Sequence, residues 1–424
     1  MCKIKIRQSK RIIRQSTKGG LVLVKRQLFA YTPFKDMFNE LFKKRFGLPF
    51  LSLWLMMVFR ALLGGSSFQQ FGKDWNNDKT RSIVADYREK ITHRLLARNI
   101  QRISPQFSRK LVIETSKRMY QKGIVLAKRI AIDSTPIEVK GKKYEKVGSL
   151  TKNGKFTKGY KLSIAFDVDS KVPLAYILTP INPHDSQFLI PLIKIVQTEY
   201  NHSIKAVMID KGYYGLDFFK FLDEQGISFF IPGKKYSKLK KRINNLHFKD
   251  FRHNKSKNYY FKEGKYRIKG YGFIRCIFVV YKKFEDWMPV DEKNNKVWVL
   301  FTNDEKISSK NAVQAYKDRW QIEIFFKQCK NELGLKILPG RDFRIVAMHV
   351  SSVLLAYLGL ISLELEEREK SEVIPIAINE WKNRFINVLI SIILKRNRIY
   401  FEFEEAWIHS WSILEKDLNG GIFM

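Results

Sequence analysis

The spacing of apolar residues changes character near residue 126. Before that point apolar positions recur with helical spacing, and the apolar run from Phe50 to Phe59 is too short to span a bilayer, so it predicts a buried helix. After it, short runs rich in β-branched and aromatic residues are separated by turn residues, and strands then alternate with helices. This order predicts an α/β fold, a mixed sheet with helices on its faces.

The same patterns divide the chain into five parts. We predict a basic helical DNA-binding region, the first part of an α/β core, a β-rich insertion, a helix that returns to the core, and a C-terminal helical region, over residues 1–125, 126–233, 234–303, 304–345 and 346–424. Residues 76–120 are a candidate helix-turn-helix, although a basic helical bundle explains the pattern equally well.

The charge of the chain indicates a polyanionic partner. Its 78 Lys and Arg residues against 41 Asp and Glu give a net charge of +37, and nucleic acid is the first candidate partner, ahead of an anionic membrane. Within residues 234–270 there are 14 Lys or Arg against two acids, interleaved with aromatic residues. Basic residues follow phosphates and aromatic rings stack on exposed bases, so the segment suits a distorted DNA end. A plain sheet with an aromatic inner face would look similar.

Cysteine usage and the N-terminal sequence indicate the compartment. The chain has 3 cysteines, no CxxC pair and no cluster at zinc spacing, and it shows no secretory signal pattern. We therefore expect a cytoplasmic, nucleoid-associated protein without a structural zinc site.

Two aspartates stand at matched places in the predicted sheet. Asp133 closes the run RIAID, and Asp210 closes AVMID and precedes KGYYG. Ligands of open α/β sheets gather beyond the carboxyl ends of strands, which is where these side chains are expected. A turn or cap role would explain either aspartate alone.

A helix near residue 320 carries four polar residues with regular spacing. At about 100° per residue, Tyr316, Arg319, Glu323 and Lys330 point to one side. Ser308 or Ser309 can cap the start of this helix. A carboxylate flanked by cations and a phenol suits metal-assisted chemistry on a phosphodiester. An i, i+4 Arg–Glu pair on a solvated face is the structural alternative.

Asp133, Asp210 and Glu323 together form an all-oxygen ligand set that suits Mg²⁺ or Mn²⁺. Two such ions about 4 Å apart would activate an attacking water or 3′-hydroxyl and stabilise the leaving oxygen. The chain has neither a GxSxG elbow nor a GxxxxGK[ST] loop, which disfavours a serine hydrolase and a P-loop ATPase. Three further aspartates near the predicted site remain alternative members of the set: Asp167, Asp169 and Asp185.

These motifs resemble those of bacterial insertion-sequence DDE transposases of the IS-four type. The family signature Tyr-x2-Arg-x3-Glu-x6-Lys is present with every spacing intact, and IDST, IDKGYYG and NPHDSQFL also resemble family motifs. The resemblance covers roughly residues 126 to 360. It implies an RNase H-like core with a β-rich insertion before the glutamate helix, and a metal-binding triad of Asp133, Asp210 and Glu323.

The resemblance also implies cut-and-paste transposition. The enzyme would hydrolyse the 3′ ends of its own element, pass through a hairpin intermediate and join the ends to target DNA, with terminal inverted repeats as substrate and a homodimer holding two ends. Trp298 resembles a tryptophan that stacks on a flipped base, although a core role explains it equally well. Arg319 and Lys330 would hold the DNA backbone, and Tyr316 would donate to a phosphate.

Two other functions remain open from the sequence. A stand-alone RNase H-like nuclease would cut DNA without joining it. A non-catalytic DNA-binding protein, such as a domesticated transposase, would bind without cutting.

Overall fold

The computed structural model describes residues 11–16, 20–33, 37, 47–78, 84–87, 89–141, 143–152, 154–281, 297–370, 390–395 and 398–403. Two compact units alternate along the chain. The first unit, which is helical, comprises Met1–Ile124, Glu138–Lys146 and Phe326–Met424. The second unit contains the large sheet and comprises Val125–Ile137 and Val147–Phe325. The five-part division made from sequence stays a prediction.

The helices in the described part of the chain are α1 (Gly20–Tyr31), α2 (Phe50–Leu62), α3 (Phe68–Asn77), α4 (His93–Ile100), α5 (Pro105–Gln121), α6 (Leu189–Glu199), α7 (Leu216–Glu224), α8 (Ser237–Asn244), α9 (Ser309–Asp318), α10 (Trp320–Asn331) and α11 (Phe343–Lys370). The strands are β1 (Arg11–Ser16), β2 (Arg129–Glu138), β3 (Gly148–Lys152), β4 (Lys155–Asp167), β5 (Val172–Pro180), β6 (Ala206–Ile209), β7 (Ser228–Pro232), β8 (Arg252–Asn254), β9 (Tyr259–Ile268), β10 (Gly272–Val280), β11 (Trp298–Thr302), β12 (Ile390–Lys395) and β13 (Arg398–Phe403).

The long helix α11 is the centre of the first unit. Helices α1, α2, α4 and α5 pack against it. Residues Phe343–Leu365 are long and apolar enough to cross a membrane, with a mean hydropathy of 1.9, but the whole apolar window is buried inside the structure. Burial of this kind is what a core helix shows, because its apolar surface is already covered by protein. The buried helix predicted around Phe50 is α2, whose residues from Leu53 to Leu62 are all buried.

Strands are also present at both ends of the first unit. Strand β12 pairs antiparallel with β1 and with β13, giving a three-stranded sheet. The sequence expectation of helices continuing to the C-terminus is therefore corrected. The runs ISIILK and RIYFEF are rich in Ile and aromatic residues, which favour strands over helices.

The core of the second unit is a mixed sheet. Strand β2 pairs parallel with β6, β6 pairs parallel with β7, and β5 pairs antiparallel with β4, which neighbours β2. The five core strands lie side by side in the order β5-β4-β2-β6-β7. If they are renumbered 1 to 5 along the chain, this order is 3-2-1-4-5. That order, with helices α6 and α7 in the crossovers between parallel strands, is the mixed α/β, RNase H-like arrangement expected from the sequence.

The insertion continues this same sheet. Strand β11 pairs antiparallel with β7, β10 with β11, β9 with β10, and β8 with β9. The edge of β7 is therefore covered, and the sheet has ten strands within the described residues.

Candidate active site

Asp133 and Asp210 lie side by side because of the pairing of β2 with β6. In the parallel register Ile132 is the partner of Ile209, so each aspartate immediately follows the last paired residue of its strand. Asp210 ends β6, as predicted. Strand β2 does not end at Asp133, however, but runs on to Glu138. Only the pairing of β2 with β6 ends at Asp133. The sequence pattern could not distinguish the end of a strand from the end of its pairing with a neighbour.

The helix predicted around residue 320 is two helices. Helix α9 ends at Asp318 and α10 begins at Trp320, with Arg319 between them in a helical conformation at φ −52° and ψ −30°. The Arg319 amide bonds to the carbonyl of Tyr316, three residues back, which tightens the chain at this point. Glu323 lies in the first turn of α10. The prediction of one continuous helix is corrected.

The start of α9 is held by β10 of the insertion. The buried Arg275 guanidinium donates to the carbonyls of Asp304 at 2.8 Å and Ile307 at 2.6 Å, in the loop before α9. Ser308 then caps the helix by accepting a hydrogen bond from the Asn311 amide at 3.3 Å. These bonds position α9, which leads directly to Arg319.

Arg319 joins two of the three predicted carboxylates. Its Nη1 donates to Asp133 Oδ2 at 3.2 Å, and its Nη2 donates to Glu323 Oε1. The Arg319 side chain is only 12% exposed, against 22% for Asp133 and 32% for Glu323. Its Nε has no hydrogen-bond partner among the residues that the structure describes.

The electrostatics place Asp210 in the same cluster. Burial raises the pKa of Asp133 to about 6; the Ser134 amide and Arg319 oppose this rise, while Asp210 and Glu323 add to it. Three carboxylates therefore act on one another, with one guanidinium among them. Burial lowers the pKa of Arg319, but Tyr316, Asp133 and Glu323 raise it above its usual value on balance.

Tyr316 and Trp298 continue the site beyond Arg319. The Arg319 guanidinium lies 5.6 Å from the centre of the Tyr316 ring. Burial raises the pKa of Tyr316 to about 12, so its phenol keeps its proton and remains a donor at neutral pH. The Trp298 ring lies 5.2 Å from the Tyr316 ring at an angle of 40°. Trp298 is half-buried, with one side open.

An open pocket of about 620 Å³ adjoins Trp298 and combines aromatic and cationic groups. Its lining includes Trp298, Tyr236, Lys211, Lys234 and Lys235. Sequence reasoning singled out Trp298 but treated residues 234–270 as a diffuse basic segment, and it did not single out Lys211, Lys234 or Lys235. The motifs KGYYG and PGKKY were the available signal, because each places a lysine directly after a core strand.

The family to which these residues belong follows from comparison with known proteins. The sequence profile of the transposase DDE domain matches residues 126–358, which include Asp133, Asp210 and Glu323. The chain belongs to the DDE transposase family. Transposases of this family generally use divalent metal ions. The assignment to the IS-four type stays a prediction.

Two further similarities are weaker. The chain is 27% identical over 234 residues to y4zB of Sinorhizobium fredii (strain NBRC 101917 / NGR234), a provisionally named transposase; the match covers 53% of this chain and 58% of the relative. A cryo-EM structure of the piggyBac transposase synaptic complex with hairpin DNA has a TM-score of 0.44 and 11% identity, over 89% of this chain and 81% of that chain.

The three alternative aspartates of the transposase have partners elsewhere. Asp167 is fully buried and accepts hydrogen bonds from the Ser170 amide and hydroxyl. Asp169 pairs with Arg129 at 3.0 Å, and Asp185 pairs with Lys161 at 2.7 Å. None of these contacts involves Asp133, Asp210 or Glu323, and the assignment of the metal-binding triad stays a prediction.

Lys330 is the last residue of the signature. It lies in the last turn of α10, in the first unit of the chain, and is half-buried. Burial and then Lys336 lower its pKa, while Glu138 raises it. The predicted contact of Lys330 with DNA stays a prediction.

The ligand types of the transposase fit a divalent ion, but their present arrangement is not a finished metal site. Carboxylate oxygens are the donors that Mg²⁺ and Mn²⁺ prefer. Among the described residues, no group of three His, Cys, Asp or Glu side chains is close enough to hold a metal as it stands. The Arg319 guanidinium supplies positive charge between Asp133 and Glu323 instead.

Proposed function

We propose that the chain is the transposase of an insertion sequence, which cuts DNA at the ends of its element and joins those ends to target DNA. The observation that carries this proposal is the placement of Asp133 and Asp210 directly after the last paired residues of β2 and β6, with Glu323 linked to Asp133 through Arg319. Asp133, Asp210 and Glu323 would hold Mg²⁺ or Mn²⁺, and the family resemblance implies two ions.

The bound ions would supply the activation of a water or 3′-hydroxyl and the stabilisation of the leaving oxygen. The chain itself supplies positioning. The pairing of β2 with β6 fixes two carboxylates on a rigid sheet, and α10 brings the third. Half-burial of Asp133 limits the competition of water for its oxygens.

Arg319 would exchange partners when DNA arrives. In the free protein it neutralises Asp133 and Glu323, and its Nε lacks a hydrogen bond. A phosphate beside the site would offer a bidentate acceptor for the guanidinium, which would leave the oxygens of Asp133 and Glu323 available as metal ligands. The Tyr316 phenol would donate to the same phosphate.

The pocket beside Trp298 would receive a nucleotide displaced from the DNA end. A flipped base needs an aromatic surface to replace lost stacking, and Trp298 next to Tyr316 offers one. Lys211, Lys234 and Lys235 would hold the attached phosphates. Such a displaced base is what a hairpin intermediate requires.

The partners would be the terminal inverted repeats and target DNA, bound by a homodimer that brings two ends together. A net charge of +37 supports the DNA partner, since each neutralised phosphate releases counterions. We propose a cytoplasmic, nucleoid-associated location. No role at a membrane is proposed, because the apolar window of α11 is buried inside the structure.

Cleavage of a labelled duplex that carries the element's own end tests the catalytic assignment. With Mg²⁺, the unmodified chain should nick this duplex, and Asp210→Asn and Glu323→Gln should abolish nicking while leaving DNA binding intact. Asp217→Asn, an exposed carboxylate in α7, is the matched control and should cleave normally. Unchanged cleavage by the Asp210 and Glu323 variants would overturn the assignment.

A strand-transfer assay separates transposase from nuclease. Joining of the cut 3′ end to a supercoiled target plasmid supports the transposase, whereas cutting without joining supports the stand-alone nuclease. Tight binding without any cutting by the unmodified chain would favour a non-catalytic DNA-binding protein.

A further inference from the structure

Helix α4 and the turn after it carry three exposed arginines. Arg94 and Arg98 are exposed one turn apart on α4, and Arg102 is exposed in the turn that follows the helix. Leu96 and Ile100 are fully buried on the opposite side. The sequence from Lys90 to Ile113 has no acidic residue. The exposed surface of α4 is therefore cationic along its length.

Both ends of α4 are tied to other helices of the same unit. At its start, the Asn76 side chain at the end of α3 makes two hydrogen bonds of 2.9 Å with the backbone of Ile91. At its end, the Gln101 side chain donates to Asp342 at 2.9 Å, and Arg344 of α11 donates to the Gln101 carbonyl at 2.8 Å. Such fixation orders the helix before any ligand binds.

Helix α5 is not an alternative DNA-reading element. It follows α4 after a short turn and would be the recognition helix if residues 76–120 formed a helix-turn-helix. Its side chains at Leu111, Val112, Thr115 and Ser116 are buried, and it packs against α11. Only Gln106, Lys110 and Gln121 of α5 are exposed, so α5 offers DNA less accessible charge than the arginines at α4.

The three arginines carry an electrostatic cost that a polyanion would remove. Like charges at i, i+4 on a helix destabilise it by about 0.2–0.5 kcal/mol per pair. Asp342, which contacts Gln101 beyond the end of α4, is already paired with Arg344 at 2.8 Å. At 1.5 Å per residue Arg94 and Arg98 lie about 6 Å apart along the axis of α4, and Arg102 follows in the turn after the helix. Long guanidinium side chains at that spacing can reach successive phosphates.

We propose that Arg94, Arg98 and Arg102 bind the phosphate backbone of duplex DNA and fix the orientation of the duplex on the helical unit. The proposal rests on the proposed function only in taking DNA as the partner. Backbone contacts of this kind position DNA and carry no sequence information. Binding through α4 should therefore be similar for random and element-end sequences.

The salt dependence of binding to a labelled random-sequence duplex tests the proposal with the full-length chain. Each phosphate contact contributes about 0.9 to the slope of log affinity against log salt, so replacing all three arginines by glutamine should lower the slope by about 2.7. A triple replacement of Lys194, Lys205 and Lys220 by glutamine is the control. It removes the same charge from exposed positions of the other unit and should leave the slope nearly unchanged.

A second variant distinguishes lost contacts from lost folding. Replacing the three arginines by lysine keeps the charge and should retain most of the slope, and both variants should melt within about 2 °C of the unmodified protein, as expected of surface changes. A glutamine variant that folds and keeps the full slope overturns the proposal. Metal-dependent cleavage is measured in a separate assay. A negative result for the α4 proposal would therefore not affect the catalytic assignment, and absence of cleavage would not affect the measured salt dependence.

Discussion

Arg319 occupies the electrostatic place of an ion in the free protein, and its removal should make metal binding tighter. Arg319→Gln keeps a polar side chain but removes the charge between Asp133 and Glu323. The two carboxylates then lose their shared cation. A divalent ion no longer competes with Arg319, so its affinity should rise even though a residue of the family signature has been lost.

The magnitude follows from the geometry. At 3.2 Å and an effective dielectric constant of 20, the Arg319–Asp133 attraction is about 5 kcal/mol before solvation. Asp133 and Glu323 keep 22% and 32% exposure, so solvent reduces the net value to about 1–3 kcal/mol. Metal affinity should therefore rise about five- to 150-fold. Without metal, the variant should lose about the same 1–3 kcal/mol of stability.

Calorimetric titration of the full-length chain with Mn²⁺, without DNA, measures the affinity, and thermal melting measures the stability. Arg129→Gln is the matched control, because Arg129 likewise joins two carboxylates, Asp169 at 3.0 Å and Asp318. The control should lower the melting temperature without changing Mn²⁺ affinity. Mn²⁺ binding by Arg319→Gln that is no tighter than in the unmodified protein would refute the reasoning.

Three further predictions concern stability and DNA. Burial raises the pKa of Asp167 from 3.8 to about 6, so ionisation of its carboxyl destabilises the folded state as pH rises through 6. Asp167→Asn should therefore raise the free energy of unfolding by about 3 kcal/mol at pH 7 and by little at pH 4. Unfolding curves of the two proteins at both pH values measure this difference. Gly334 has φ +68° and a Cβ there would lie 2.4 Å from the Gly64 carbonyl, whereas Gly123 at φ +75° has open space. Urea unfolding should show that Gly123→Ala lowers the free energy of unfolding by about 1–2 kcal/mol and that Gly334→Ala lowers it by more. Equal losses in the two variants would contradict the close approach of Gly334 to Gly64. Trp298→Ala should abolish, and Trp298→Phe largely retain, quenching of 2-aminopurine placed at the element end.

The placement of the two aspartates could be predicted from sequence because it depends on local signals. The runs RIAID and AVMID each end an apolar strand pattern, and parallel strands of one sheet bring their carboxyl ends to one edge. The crossovers between them had helical spacing and ordinary length. These signals require no knowledge of distant contacts. The parallel pairing of Ile132 with Ile209 confirms that the two aspartates lie on neighbouring strands.

What could not be predicted depends on pairing between distant segments. Nothing in the insertion sequence specifies that β11 pairs with β7, because strand propensity does not identify a partner. The packing of α5 against α11 joins segments more than 200 residues apart. The break at Arg319 lies within a run of good helix formers. The ion pair of Arg319 with Glu323 has the i, i+4 spacing that a helix brings together, but the pair with Asp133 joins segments 186 residues apart.

The packing of the N-terminal helices on α11 has a consequence for the order of events during synthesis. Helix α5 ends at Gln121, but α11 ends only at Lys370. At about 5–20 residues per second, roughly 10–50 s of translation separate these points. Until α11 leaves the ribosome, α1, α2 and α5 lack the apolar surface of α11 on which they pack, and α4 lacks its tie to Asp342 and Arg344. The nascent chain would therefore depend on chaperones through most of its synthesis, and it would gain its DNA-binding surface only near the end.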